Sequence, residues 1–194
     1  VRHGETDWNR AGRIQGRADV PLNDRGRDQA RRTATFLAGT RWSRVVTSPL
    51  ERASEIAAGL AGGLGDAAPV EMEALAEQDC GLASGLLAPQ ARVRFPDGRV
   101  PGMEPAPALR RRAVAALVDL ARRCPNERLV VVTHGAVINA VLTECSGGTL
   151  RWGTANLHNA CVSVLHLRGE TWEIESHNTI AHLMDAPPAA LLTA

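Results

Sequence analysis

Hydrophobic and polar positions along this chain follow two periods, and the switches between them mark out strands and helices in turn. Ala30, Ala34, Leu37 and Ala38 share one helical face. Asn23 stands ahead of them as an N-cap, because its side chain can accept from the free amides of a first turn, and Gly39 supplies the stop. Val45-Val46 predicts a short buried strand. Ser48-Pro49 after it predicts a helix start, serine as N-cap and proline at the first helical position, with helix over 50–60 running into a glycine-rich stretch at 59–65. Apolar and acidic residues alternate over 70–75, which predicts another short strand. Leu109, Ala113, Ala116, Leu117 and Leu120 then mark the apolar face of a helix. Arg110, Arg111 and Arg112 at its predicted start would oppose the helix dipole, so helix stability is not their expected role. The run 129–133 has the pattern of a strand buried on both faces, with His134-Gly135 directly behind it and a helix over 136–145. Runs 160–167 and 171–176 flank a glycine-containing turn and predict a hairpin.

Strands alternating with helices predict an α/β fold: a single three-layer α/β/α domain with a mostly parallel central sheet and helices on both faces. Residues 7–22 are loop-like, with Gly12, Gly16 and Pro21 among polar residues. Residues 88–107 hold five of the eleven prolines and are expected to form a loop that could act as a lid. Only Val1 precedes Arg2-His3, so the N-terminal strand is expected to be truncated.

Composition narrows the function. The 194 residues suit one domain with a substantial core, and 44% hydrophobic with 22% charged residues are globular values. A net charge of +1 offers no bulk field for nucleic acid or a membrane surface. All 22 basic residues are arginine, so each arginine has to be argued by position. Cys80, Cys124, Cys145 and Cys161 are too widely spaced for a metal site and read as free thiols in a reducing cytoplasm.

The candidate chemistry begins at Arg2-His3-Gly4-Glu5-Thr6. Two adjacent cations imply an anion between them, and the glycine allows backbone to come close. In open α/β sheets, sites lie at the carboxyl ends of strands. His3, Ser48 with Arg52 behind it, Glu77 and His134 all follow predicted strands and would therefore converge. Arg52 also falls in a first helical turn, where amides favour an anion. Two arginines, two histidines and one marginal carboxylate are an inventory for a phosphate monoester. Cations neutralise the equatorial oxygens, an imidazole attacks phosphorus in line, and an acid protonates the leaving alkoxide. Asp79 competes with Glu77 for that last role. A His3/His134 metal pair is disfavoured, because Arg2 and Arg52 would repel a cation.

These residues resemble the motifs of the histidine phosphatase superfamily, in its phosphoglycerate mutase-like branch. Arg2-His3-Gly4-Glu5-Thr6 with Trp8-Asn9 matches the opening motif. Gly16-Arg17, Asp19, Pro21-Leu22, Gly26 and Gln29-Ala30 look like the next block, and Thr47-Ser48-Pro49-Leu50-Glu51-Arg52-Ala53 is similar to the second arginine motif. Leu75, Glu77, Gly81 and Gly85 resemble the acid motif, a spacing that favours Glu77 over Asp79. Val131-Val132-Thr133-His134-Gly135 matches the second histidine motif, and Asn178 with His182-Leu183 the closing block. The resemblance implies a phosphohistidine at His3, with Glu77 as proton donor and then base for water. It also implies that Arg2, Asn9, Arg52 and His134 hold the phosphoryl oxygens, with Gly135 in the phosphate-binding set and His134 in the catalytic one. No metal or organic cofactor is implied. Trp8 is expected to pack, Arg17 to be structural or at the pocket rim, and His158 and His182 to be structural.

Residues 1–185 are thus expected to form the histidine phosphatase domain and 186–194 a flexible tail. The expected activity is hydrolysis of small phosphomonoesters in the cytoplasm. The expected partner is a small phosphorylated metabolite, without nucleic acid or membrane, and an exposed sheet edge or helix face could support a homodimer. Two alternatives stand beside hydrolysis: phosphoglycerate mutase-type transfer, against which the short interval from Glu77 to His134 speaks, and an inactive phospho-ligand-binding protein. Two departures from the family pattern fall on the expected substrate side. Ala83-Ser84-Gly85 replaces an aromatic-acidic-glycine triplet, and Gly102-Met103-Glu104-Pro105 blurs another block.

Overall fold

A computed structural model describes residues 1–64, 68–151, 153 and 156–184. The expected tail at 186–194 lies outside them. The central sheet is built from β1 (Arg44–Thr47), β2 (Val70–Glu71) and β3 (Leu129–Val132) in the order β2-β1-β3, all parallel. Val1 to His3 extends the sheet beyond β3. The terminal ammonium donates to Val131 O at 2.8 Å, Thr133 N to Val1 O at 2.9 Å and His3 N to Thr133 O at 2.9 Å. On its other side, Arg2 N donates to Cys161 O at 3.0 Å, at the entry to the antiparallel hairpin β4 (Val162–Arg168) and β5 (Thr171–Thr179). The ladder fixes the direction in which His3 leaves the sheet.

Alternation within the strands separates the two helical layers, because successive side chains point to opposite faces. Val45, Val130 and Val132 face α2 (Asp24–Leu37) and α3 (Glu51–Leu64), where Leu37, Ala53, Ile56, Ala57 and Leu60 are buried against them. Val46 faces the other way, onto α5 (Ala106–Arg123) and α6 (Gly135–Cys145), packed with Leu109, Ala113, Ala116, Leu120, Val137 and Ala140. These are the i, i+3, i+4, i+7 stripes of core-facing helices. The result is the expected three-layer α/β/α arrangement. A cavity of about 810 Å³ opens between β3, α5 and the β4–β5 hairpin, lined by Val131, Leu120, Val164, Leu165 and Trp172; His3, Arg52, Glu77 and His134 do not line it.

Several elements differ from the pattern-based expectation. The 70–75 strand stops after Glu71: Met72 N donates to Thr47 O at 2.8 Å, and a 3₁₀ turn, Glu73–Leu75, then drops Leu75 into the α5–α6 layer. The proline-rich 88–107 segment is not all loop. It contains α4 (Ala88–Arg94), and α5 begins at Ala106. Pro89 and Pro107 sit in first helical turns, where the missing N–H has no intrahelical partner to lose, and Gln90 Oε1 accepts from Leu87 N at 2.9 Å to close the start of α4. The earlier start of α5 also places Arg110, Arg111 and Arg112 beyond its first turn, so the dipole argument does not apply to them. α3 runs to Leu64, through the glycines at which the stop was expected. Asn23 does cap α2, accepting from Gly26 N at 2.9 Å.

Candidate active site

His3 is 2% exposed, and its Nδ1 lies 2.7 Å from Gly4 O. A carbonyl can only accept, so Nδ1 carries the proton and Nε2 keeps its lone pair. Burial, reinforced by the Arg2 and Arg52 guanidiniums, lowers the His3 pKa well below the ordinary imidazole value. The ring is therefore neutral at neutral pH, in the tautomer a nucleophile needs.

The turn that carries this ring is braced on three sides. Asn159 Nδ2 donates to His3 O at 3.3 Å, Gly4 O at 3.1 Å and Asn9 Oδ1 at 3.0 Å. Ala160 N donates to His3 O at 3.0 Å from a left-handed backbone, φ 55°. Thr6 caps the short helix α1 (Asp7–Arg10) by accepting from Asn9 N at 3.1 Å, and Thr6 N donates back to Asn9 Oδ1 at 3.3 Å. With Oδ1 so occupied, the Asn9 Nδ2 is the half of the amide left for a ligand.

Two guanidiniums flank the ring. Arg52 is fully buried, with Nη1 and Nη2 donating at 2.8 Å to Ala18 O and Gly16 O. Arg2 Nη1 donates to Leu157 O. The Nε of each is buried without a protein partner among the described residues, as is His134 Nδ1. Unpaired buried donors are costly, and an anion here would satisfy them. Burial lowers the pKa of both arginines, yet guanidinium remains protonated throughout the physiological range.

His134 is fully buried, with Nε2 2.7 Å from Ser48 Oγ and its ring centroid 5.2 Å from that of His3. Burial, then the neighbouring His3, Arg52 and Arg2, depresses its pKa. It precedes α6, whose first residue, Gly135, would place a Cβ 3.5 Å from Arg2 Nε and 4.0 Å from Glu77 Oε2. The free amides of that helix start add a partial positive charge to the same corner.

Glu77 closes the site. Its Oε1 accepts from Gln78 N at 2.9 Å and its Oε2 from Ala136 N at 3.3 Å. Burial raises its pKa, against the pull of those amides and of Arg52 and Arg2. Asp79 is turned away and exposed, accepting from Gly81 N at 2.8 Å within its own turn.

His3, Arg2, Arg52, Glu77, His134 and Gly135 thus meet at one edge of the sheet, and Asn9 is tied to the His3 turn through Asn159. Ser48, expected as the α3 cap, accepts from Leu50 N at 3.2 Å; Glu51 N is taken instead by Asp19 Oδ1 at 2.8 Å. Arg17 bonds Glu73 and the Glu77 carbonyl. His182 bonds Thr33 and Ala160 O and stacks on Phe36. Sequence reasoning missed Asn159 and Arg112. Asn159 enters at the amino end of β4, outside the strand-end rule, and Arg112 bonds mainly backbone carbonyls, which leave no residue signature. Among the described residues there is no group of three or more His, Cys, Asp or Glu that could hold a metal.

Residues 1–180 match the profile of the histidine phosphatase superfamily (branch 1). The uncharacterized phosphatase PhoE of Bacillus subtilis is 39% identical over 183 residues, 94% of either chain. A metal-independent phosphoserine phosphatase of Arabidopsis thaliana is 34% identical over 196 residues, 94% of this chain and 81% of that one. The solved structure of phosphoserine phosphatase from Entamoeba histolytica in complex with 3-phosphoglyceric acid matches with a TM-score of 0.84 at 26% identity, covering 95% of this chain and 97% of that one. The chain belongs to the histidine phosphatase superfamily and is an enzyme of the histidine phosphatase type.

Proposed function

We propose that this enzyme hydrolyses small phosphomonoesters through a phosphohistidine at His3. The observation that carries the reading is the His3 tautomer: Nδ1 is committed to Gly4 O, which leaves Nε2 unprotonated between two guanidiniums whose Nε donors are buried and unpaired.

Nε2 attacks phosphorus as the ester P–O bond breaks, and Glu77, protonated, gives its proton to the departing oxygen. Arg2, Arg52, His134, Asn9 and the Gly135 end of α6 hold the three equatorial oxygens, whose charge peaks in the transition state. Water then enters on the vacated side. Glu77, now a carboxylate, takes its proton, the P–N bond breaks, and His3 is restored with inorganic phosphate released. The 3-phosphoglyceric acid bound in the Entamoeba enzyme and the phosphoserine phosphatase of Arabidopsis support small phosphorylated acids as a starting substrate panel. The four free cysteines support a reducing compartment, the cytoplasm. No helix among the described residues is long and apolar enough to cross a membrane.

The test is phosphate release from phosphoserine, phosphoglycerates and sugar phosphates, run beside His3→Ala. The reading predicts release abolished by the substitution. Release that survives His3→Ala would sink it, and interconversion of phosphoglycerates without release would establish transfer instead.

A further inference from the structure

The proton donor hangs from a segment with little regular structure of its own, between the 3₁₀ turn at Leu75 and a second one, Gly81–Ala83. Arg17 reaches the Glu77 carbonyl at 3.3 Å from the exposed side, and the largest set of side-chain bonds on the segment comes from one arginine of the helix packed beneath it. Arg112 on α5 donates from Nη1 to Ala74 O at 2.8 Å and to Ala76 O at 2.7 Å, and from Nη2 to Glu77 O at 3.1 Å. Its remaining two N–H groups grip Glu104 as a fork, Nε to Oε1 at 2.8 Å and Nη2 to Oε2 at 2.9 Å. All five guanidinium donors are used, and three of them end on the carbonyls that lead up to and include Glu77.

Glu104 completes the clamp from its own backbone. Its N–H donates to Asp79 O at 2.8 Å, and its carbonyl accepts from Gln78 Nε2 at 2.7 Å. The pair is largely shielded, with side chains 19% and 15% exposed. Arg112 holds the Glu104 carboxyl below its usual pKa, which keeps the pair ionised into acid. Glu104 is thus turned to its partner arginine, although the sequence put its block on the substrate side.

We propose that Arg112, fixed by Glu104, is the positioning residue for Glu77, setting the backbone from which the carboxyl reaches the leaving oxygen. This rests on the reading of Glu77 as proton donor. Placement matters because a displacement of about 1 Å can cost a reacting group on the order of 100-fold. Lysine cannot replace the fork, since an ammonium has three donors and no plane.

The experiment compares kcat/KM for an alkyl phosphate, phosphoserine, with that for an aryl phosphate, p-nitrophenyl phosphate, whose leaving group needs little protonation. The enzymes are the parent, Arg112→Lys, Glu104→Gln, Glu77→Gln and the double variant Glu77→Gln with Arg112→Lys. Arg112→Lys and Glu104→Gln are expected to lose about 10- to 100-fold on phosphoserine and far less on the aryl ester. In the Glu77→Gln background, Arg112→Lys should add almost nothing on phosphoserine. Equal losses on both esters would overturn the proposal and leave Arg112 with a general structural role, as would an additive loss in the double variant. Glu77→Gln separates the two readings. If it discriminates between the esters and neither clamp variant does, only the positioning role fails; if it does not discriminate, the proton-donor reading fails. Should Arg112→Lys not fold, Glu104→Gln, which keeps the arginine, decides the matter by the same ratio.

Discussion

Gly4 and Gly26 meet backbone to backbone: a Cβ on Gly4 would stand 2.6 Å from Gly26 O, and one on Gly26 only 2.1 Å from Glu5 O. The His3 turn therefore rests directly on the first turn of α2, with no room for a side chain between them. Gly26→Ala should force the two apart and cost about 3 kcal/mol, the upper end for overpacking. Urea unfolding reads the loss, and kcat/KM should fall with it, because the same shift moves the Gly4 carbonyl that orients His3.

The pH dependence follows from two opposite shifts. His3 must be neutral, and its depressed pKa keeps it so as pH falls through the ordinary imidazole range. Glu77 must be protonated for alkyl esters, and its raised pKa extends that form upward from the ordinary carboxyl range, to be lost as pH rises through it. The kcat/KM profile for an alkyl phosphate should hence be bell-shaped with an optimum on the acid side of neutrality. The alkaline limb should disappear for aryl phosphates and in Glu77→Gln. An alkaline limb unchanged in Glu77→Gln would assign it to another group.

Arg52→Lys keeps the charge and loses the fork that spans Ala18 O and Gly16 O. The ammonium cannot both anchor to those carbonyls and present a donor where Nε now stands. A fall in kcat/KM of about 100- to 1,000-fold is expected for every ester, since equatorial-oxygen stabilisation does not depend on the leaving group. Steady-state kinetics on an alkyl and an aryl substrate check both the size and the uniformity.

Asn159→Ala removes the Nδ2 bonds to His3 O, Gly4 O and Asn9 Oδ1 and leaves the Asn9 amide held by Thr6 alone. Stability should drop by about 1–3 kcal/mol. A larger proportional effect is expected on activity than from a truncation of similar stability cost elsewhere, for instance in the α2–α3 core. Matching the two variants by thermal unfolding before comparing kcat makes the distinction.

Metal removal should change nothing. The two histidines are flanked by guanidiniums, which repel a cation where a substrate phosphate would sit. Prolonged dialysis against EDTA is expected to leave phosphate release unaltered, and loss restored by a divalent ion would contradict this electrostatic reading.

The layered fold was legible because its signals are local. Val45 and Val46 point to opposite layers by simple alternation, and the Leu109–Leu120 face repeats at helical spacing, so neither needs tertiary information. The same locality misled at the prolines. Pro89 and Pro107 break a helix interior but suit a first turn, and composition alone does not distinguish the two positions. At the site, the convergence of His3, Arg52, Glu77 and His134 was legible because strand ends deliver them to one edge of the sheet. Residues that act through backbone were not. Arg112 grips carbonyls at Ala74, Ala76 and Glu77, and any residues there would offer the same oxygens. The Gly4–Gly26 contact likewise exists only once α2 has docked.

The central claim is that phosphate passes through His3 Nε2, and rapid quench of the enzyme with a phosphomonoester, followed by peptide mass spectrometry, tests it most directly. The account predicts a phosphoryl group on the peptide containing His3, stable in base and lost in acid, and, with an aryl phosphate whose leaving group needs little protonation, accumulating further in Glu77→Gln because water is no longer activated. A phosphoryl group on any other residue, or a phosphoenzyme that still forms in His3→Ala, would contradict it.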